Sequence, residues 1–396
     1  MADELKRRIG LGLLTAYGVG VMVGAGIYVL VGAVAADAGV WAPVSFLIAG
    51  LVAAPTALSY AEFTTRLPEA GGPAAFVAKA FGRNWIGVIV GFGIVAAGTV
   101  SAAAVLRGGA GYLVSVVDLP LMPTVAVFGV LLLAVAIVGV LESLSVAAIF
   151  TAIEVVGLAV VIYAGGTAEP SSDFSAPAPI VWPGVAAGVM LAFFAFIGFE
   201  DIVNMAEEVK DPYHNLPRAI LLSLAITSLL YALVTFAAVR AVPLDKLSVS
   251  EQPLSLVWSE ARGTNAAFLS LIAVAAALNG VLAQIVMASR VLFGLGKRNP
   301  RLGVFHHAHP RLGTPVLATV LVGVAVIGGA LFLEVADLAE ATTAILLTVF
   351  TLVNAALIVV KRRDAQAPFR VPLAVPTLGL VASAGLLGVT LAGGGA

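Results

Sequence analysis

Residues 10–34 read GLGLLTAYGVGVMVGAGIYVLVGAV. The run has no charge and is long enough to cross a hydrocarbon core of about 30 Å, which takes roughly 20 residues of α-helix. Its glycines at 18, 20, 24 and 26 fall in the middle of that crossing. A second run, FFAFIGFED at 193–201, is interrupted in the same way by Gly198 and two acids. Unwinding a helix in lipid exposes N–H and C=O groups that cost several kcal/mol each unless something polar meets them. Two such breaks point to an all-α polytopic membrane protein with a site built on its broken helices.

The rest of the chain agrees. Apolar residues make up 61% of the 396 and charged residues 11%, with a mean hydropathy of +1.08, whereas soluble domains carry about a quarter of their residues as charge. Eleven transmembrane helices are expected, over 10–34, 40–64, 84–115, 123–141, 145–165, 181–205, 217–241, 264–296, 314–333, 339–361 and 371–393. The first lacks a convincing cleavage site and is read as a retained helix. Sixteen Lys and Arg then fall on one side of the membrane, in the N-terminus and the second, sixth, eighth and tenth loops. The other side holds three: Arg240, Lys246 and Arg262. The bias places the N-terminus in the cytoplasm and the C-terminus outside. There is no cysteine, so disulfides and thiolate metal sites are excluded.

The spans overlay as a 5+5 inverted repeat, 1–165 on 181–361, with 371–393 as an additional peripheral helix. The third helix of each unit is long, roughly 48 Å at 1.5 Å per residue, and the first of each is the broken one. Beyond the first break a half-helix begins whose free N–H groups and positive dipole end suit a carboxylate, and Gly24, Ala25 and Gly26 are small enough to let a ligand touch the backbone. In the sixth helix the freed carbonyls from Phe194 through Ala195, Phe196, Ile197 and Gly198 suit an ammonium. Together the breaks suit a zwitterion. The other reading of the glycines is a close-packing helix face.

At these residues the chain resembles the amino acid permease branch of the amino acid/polyamine/organocation transporter superfamily. The likeness rests on GVGVMVGAGIYVLVG at 18–32, YAEFTTRLPEAGGPAAFVAKAFG at 60–82 and FFAFIGFEDIVNMAEEVKDPYHNLPRAI at 193–220. Weaker support comes from ASRVLFGLGKRNP at 288–300 and PFRVP at 368–372. The resemblance implies a ligand carboxylate at Gly24, Ala25 and Gly26, and an amino group on the backbone of Phe194, Ala195 and Ile197. It also implies a side-chain pocket from Val23, Ile27, Phe194 and Phe199. Many members of the superfamily have a twelfth helix, which is absent from this reading.

Several polar residues in the spans have two readings. Glu154, near mid-bilayer in the fifth helix, is a proton-coupling candidate because charges there usually face a cavity and serve function; otherwise it is a hydrogen-bonded acid that packs. Proton-coupled relatives often carry a lysine at this position. Arg107 is a gate candidate, pairing with Glu334 or Asp337 on the outer side, or else it snorkels to the interface. Glu200 is a second gate candidate. With Asp201, Glu207, Glu208, Lys210, Arg218 and Arg290 it forms either an inner ion-pair network or an anchored helix end, and the latter also describes Glu62 with Arg66. Asn279 and Gln284 reach the cavity or bond between helices, and Ser289 is the one hydroxyl at the place where relatives hold sodium. His214 and the HHAH run at 306–309 are read as surface loops.

No cofactor or metal is expected, and no nucleic-acid partner. The absence of HExxH, a Walker loop or a Ser-His-Asp set argues against an enzyme or an ATP-driven pump. The expected function is secondary transport of an amino acid at the cell membrane by alternating access, as proton symport with neutral substrates favoured. An exchanger of amino acids, amines or polyamines is the alternative within transport. A non-transporting sensor or structural membrane protein is the alternative outside it.

Overall fold

Apolar runs in lipid must satisfy their own backbone, and a helix does so within one segment. In the computed structural model the described part of every expected span is helical, apart from end residues, Gly24 in the first span and a turn at 195–198 in the sixth. The structure describes residue 7 and residues 9–24, 26–67, 72–114, 116–138, 144–206, 208–310, 312–364 and 366–393. Ala25 and Glu207, named above, lie outside these.

The first span is split into α1 (Leu11–Val23) and α2 (Gly26–Ala38), and α3 is Ala42–Arg66. A short α4 (Gly72–Phe81) precedes the long α5 (Asn84–Val114), followed by α6 (Leu121–Val138), α7 (Leu144–Gly166) and the single turn α8 (Ser172–Ser175). The sixth span is α9 (Trp182–Phe194) continued by a 3-10 helix, Phe199–Met205. Next come α10 (Pro212–Ala241), the short α11 (Leu244–Leu247) and α12 (Pro253–Arg262), and the long α13 (Ala267–Arg298). A 3-10 turn, Pro300–Phe305, leads to α14 (Val316–Phe332), α15 (Val335–Arg363) and α16 (Ala374–Gly393). Eight segments are long and apolar enough to cross a membrane, and α1, α14 and α16 are shorter apolar helices. No strand is present among the described residues; one parallel bridge joins Ile9 to Val209.

The short helices α4, α11 and α12 fall in stretches that periodicity leaves as loops. In α4 the reason is visible: Pro73, Phe76, Val77 and Ala80 are buried while Lys79 is exposed, so it lies along the bundle with one face out.

Early helices lie against later ones: α3 with α10, α5 with α13, α6 with α14, α2 with α9, and α1 with the 3-10 helix after α9. Small residues allow the closest of these approaches; a Cβ on Gly109 of α5 would stand 2.3 Å from the Cβ of Ala277 in α13. The last helix, α16, rests on α15 and α3. There Asn354 donates to Thr56 at 2.9 Å and accepts from Ser59 at 2.7 Å, so a fully buried amide is satisfied between helices.

Hydrogen bonds between connecting segments join stretches that charge counting puts on one side. On the basic side Lys210 N–H donates to Ile9 O at 2.8 Å, Arg363 to Ala80 O at 2.8 Å and Thr314 to Ile137 O at 2.7 Å. On the other, Ser171 N–H donates to Arg240 O and Leu244 N–H to Asp173 Oδ2.

Candidate functional site

The two breaks cross. Val23 closes α1, and Gly24 has φ +21, a value that an L side chain rarely adopts. Beyond α9 the chain tightens: Ala195, Phe196 and Ile197 N–H donate to carbonyls three residues back, then Gly198 turns at φ +128 into the 3-10 helix. A Cβ on Gly198 would lie 2.8 Å from Val21 Cγ1 and 3.1 Å from Met22 N, so Gly198 sits on the end of α1. A Cβ on Gly26 would lie 3.2 Å from Ala195 Cα and 3.7 Å from the Phe194 ring. Gly280 of α13 faces Gly24 from the third side. Glycine is needed at 24 and 198 for both conformation and approach.

One side chain bridges both breaks. The Tyr231 hydroxyl, on α10, donates to Met22 O at 2.6 Å and to Ala195 O at 2.8 Å. Each carbonyl belongs to a helix end whose usual partner is missing. The Tyr231 ring is held edge-on by Phe46 and Phe196. The sequence reading passed over Tyr231; the available signal was a phenol in the middle of an apolar span, where a hydroxyl must find a partner.

The expected pocket side chains divide. Val23 and Ile27 are fully buried, and Phe194 lies beside Gly26. Phe196 packs against Tyr231 and lies by Gly50 of α3. Phe199 packs with Tyr60 and Phe350, and Ile197 is buried. At the crossing itself the close approaches are those of Gly198 to Val21 and Met22 and of Gly26 to Ala195.

Glu154 approaches the first broken helix from α7. Thr151, one turn earlier, lies against Gly20, and Gly157, one turn later, lies by the Tyr28 hydroxyl, which donates to Glu154 O at 3.0 Å. The carboxyl itself is buried and neither oxygen has a hydrogen-bond partner at bonding distance; the Asn279 amide of α13 is its polar neighbour. Asn279 therefore belongs to this group.

Glu200 and Asp201 are buried just beyond the second break. Glu200 Oε2 accepts from Gly198 N–H at 2.9 Å, capping its own half-helix. Asp201 Oδ2 accepts from Gln284 Nε2 at 3.3 Å, and Gln284 Oε1 has no partner. Both acids, with Tyr60 and Asn204, line a cavity of about 20 Å³, room for roughly one water. Lys210 and Arg218 are exposed and form no ion pair with these buried acids, so the expected inner network does not form between them. Arg290 and Asp201 both lie near Tyr17. Ser289 donates to Val286 O in its own helix.

Arg107 donates to Ala330 O at 3.1 Å rather than to Glu334 or Asp337. A cation meets the unpaired carbonyls of the last turn of α14 there, a favourable end for positive charge. Glu62 carries a charge cluster on the basic side. Arg66 donates to Oε1 at 2.7 and 3.0 Å, Lys361 to Oε2 at 2.6 Å, and Val371 N–H to Oε2 at 2.9 Å. The YAEFTTR and PFRVP motifs thus meet on one carboxylate. His306 lies tilted against the Phe293 ring, and no group of three or more His, Asp or Glu among the described residues is arranged to hold a metal.

Comparison with known proteins identifies the family. Over 349 residues, 80% of this chain and 57% of the other, the sequence is 31% identical to a vacuolar cationic amino acid transporter 4 of Arabidopsis thaliana. It is 29% identical to a methylthioribose transporter of Bacillus subtilis (strain 168), covering 87% of this chain and 78% of that one. It is also 29% identical to a branched-chain amino acid permease of the same organism, covering 92% and 83%. The chain thus spans little more than half the length of the plant transporter and most of the bacterial ones. Residues 9–392 match the amino acid permease family as a whole, and the chain belongs to that family.

Proposed function

We propose that the chain is a secondary carrier that moves an amino acid by alternating access, holding the zwitterion where the two breaks cross. The observation that carries this reading is the Tyr231 bridge. The carbonyls of Met22 and Ala195 that it gathers are acceptors of the kind an α-ammonium needs. The start of α2 at Gly26 is a helix N-terminus, the end that suits the carboxylate. The paired packing of 1–165 against 181–361 supports an inverted repeat whose halves rock about this point.

Transport is coupled to protons through Glu154. An unpartnered carboxylate in an apolar site is far costlier than a neutral acid, so its charge changes with the occupancy of the site. Apolar surroundings at Val23, Ile27 and Phe194 favour a neutral side chain. A cationic side chain is the second reading, favoured by the buried Glu200 and Asp201 beyond the break and by the name of the plant relative. The excess of basic residues on the N-terminal side supports a cytoplasmic N-terminus in the cell membrane.

The test is uptake into proteoliposomes of labelled leucine, alanine, lysine and arginine, with and without an inside-alkaline pH gradient. Gradient-stimulated uptake of the neutral pair is expected. Glu154→Gln should remove the stimulation while leaving counterflow. Uptake that requires internal amino acid and ignores the gradient would make the chain an exchanger, and no uptake of any amino acid would overturn the transport reading.

A further inference from the structure

On the basic side, the ends of α3, α4 and α15 leave an open cavity of about 260 Å³. Its floor is apolar, with Phe63 and Phe76 stacked 4.8 Å apart, and its walls carry Arg66 and Lys79. Arg66 is no ordinary surface cation: its side chain is 7% exposed and shares the buried Glu62 with Lys361, itself 6% exposed. One carboxylate between two buried cations leaves a positive charge unmatched. Arg66 uses three of its five N–H groups, on Glu62 and on the carbonyl of Asp364, and two remain. Lys79 is exposed on the rim with no ion pair among the described residues. Asp364 also lines the cavity and offsets one charge, its carboxylate accepting from Gln366 N–H. Arg363, donating to Ala80 O beside the rim, restores the excess.

Trp85 is 58% exposed at the start of α5, four residues beyond the end of α4, whose Lys79 lines the cavity. An exposed tryptophan at a helix end sits at headgroup level. A free phosphate would use the cations and leave the partly exposed Val360 and Pro368 idle; an amphiphile uses both.

We propose that this cavity binds the phosphate headgroup of an anionic phospholipid from the adjacent leaflet, with the phosphate between Arg66 and Lys79 and the apolar part against Val360 and Pro368. Basic pockets between helices at such a surface are suited to this chemistry. The inference rests on the membrane placement of the chain and not on its transport activity. The purified full-length protein in detergent is titrated with dioleoylphosphatidylglycerol or dioleoylphosphatidylcholine, and bound lipid is counted by native mass spectrometry. Wild type should retain the anionic lipid under conditions that strip the zwitterionic one. Lys79→Ala should weaken retention about fivefold and Lys79→Glu more. Lys210→Glu, which removes an exposed cation from the same face but outside the cavity, should leave retention unchanged. Equal retention of both lipids, or an equal loss in the Lys79 and Lys210 variants, would overturn the site. Displacement of the lipid by millimolar inorganic phosphate would overturn the lipid as its occupant.

Discussion

Replacing Tyr231 by Phe isolates one hydroxyl at the crossing of the broken helices. The ring contacts with Phe46 and Phe196, at 5.9 and 5.1 Å between centroids, survive the change, so lost packing does not confuse the result. Lost instead is the O–H shared between Met22 O and Ala195 O, at 2.6 and 2.8 Å. Leaving a buried acceptor without its donor costs about 1–3 kcal/mol, and here two acceptors share one donor. A loss of about 2 kcal/mol in the geometry of the crossing corresponds to roughly 30-fold in an equilibrium, at 1.4 kcal/mol per factor of ten. Tyr231→Phe should therefore lower the melting temperature of the purified protein and reduce initial amino acid uptake in proteoliposomes by tenfold or more. Tyr231→Leu, which removes ring and hydroxyl together, should be worse in both assays. Uptake within twofold of wild type, together with an unchanged melting temperature, would refute the claim that this hydroxyl ties the two breaks.

Other consequences follow from the same contacts. Gly198→Ala places a Cβ at φ +128 and 2.8 Å from Val21 Cγ1; uptake should fall at least tenfold, whereas Gly328→Ala, with open space around it, should be indistinguishable from wild type. Glu62→Gln removes the counter-charge of two buried cations, a loss of about 3–5 kcal/mol when a buried pair is broken. It should be seen as poor recovery and early thermal aggregation, partly relieved by adding Lys361→Met. Arg107→Ala frees one carbonyl at the end of α14 and should cost about 1 kcal/mol or less in stability, with uptake close to normal; a large loss of uptake at unchanged stability would return Arg107 to a gating role.

Much of this was legible in the residues because the bilayer is a severe solvent. Lipid accepts a backbone only as helix, so apolar length alone located the eleven spans, and Gly24 and Gly198 marked where two of them stop. Charge has its own constraint, which sorted the loops into two sides that the hydrogen bonds between loops respect. Short elements were less visible. α4, α11 and α12 are amphipathic or a single turn, and what holds them is the bundle surface beneath them rather than a periodicity of their own.

What tertiary structure alone decided is which polar group meets which. Glu62 and Val371 are far apart in the chain and nothing local pairs them. Arg107 had acids within plausible reach but found the carbonyl of Ala330, because the end of α14 lies against α5. Glu200, expected among basic partners, turns back to cap Gly198, since the break leaves an N–H beside its own carboxylate. The rings of Phe196 and Phe199 pack on α3, α10 and α15, contacts that no local pattern announces. The sequence by itself determined that two helices break in mid-membrane, because only glycine and a polar partner permit it; that the breaks lie on each other, with Tyr231 between them, depended on long-range packing that no local pattern encodes.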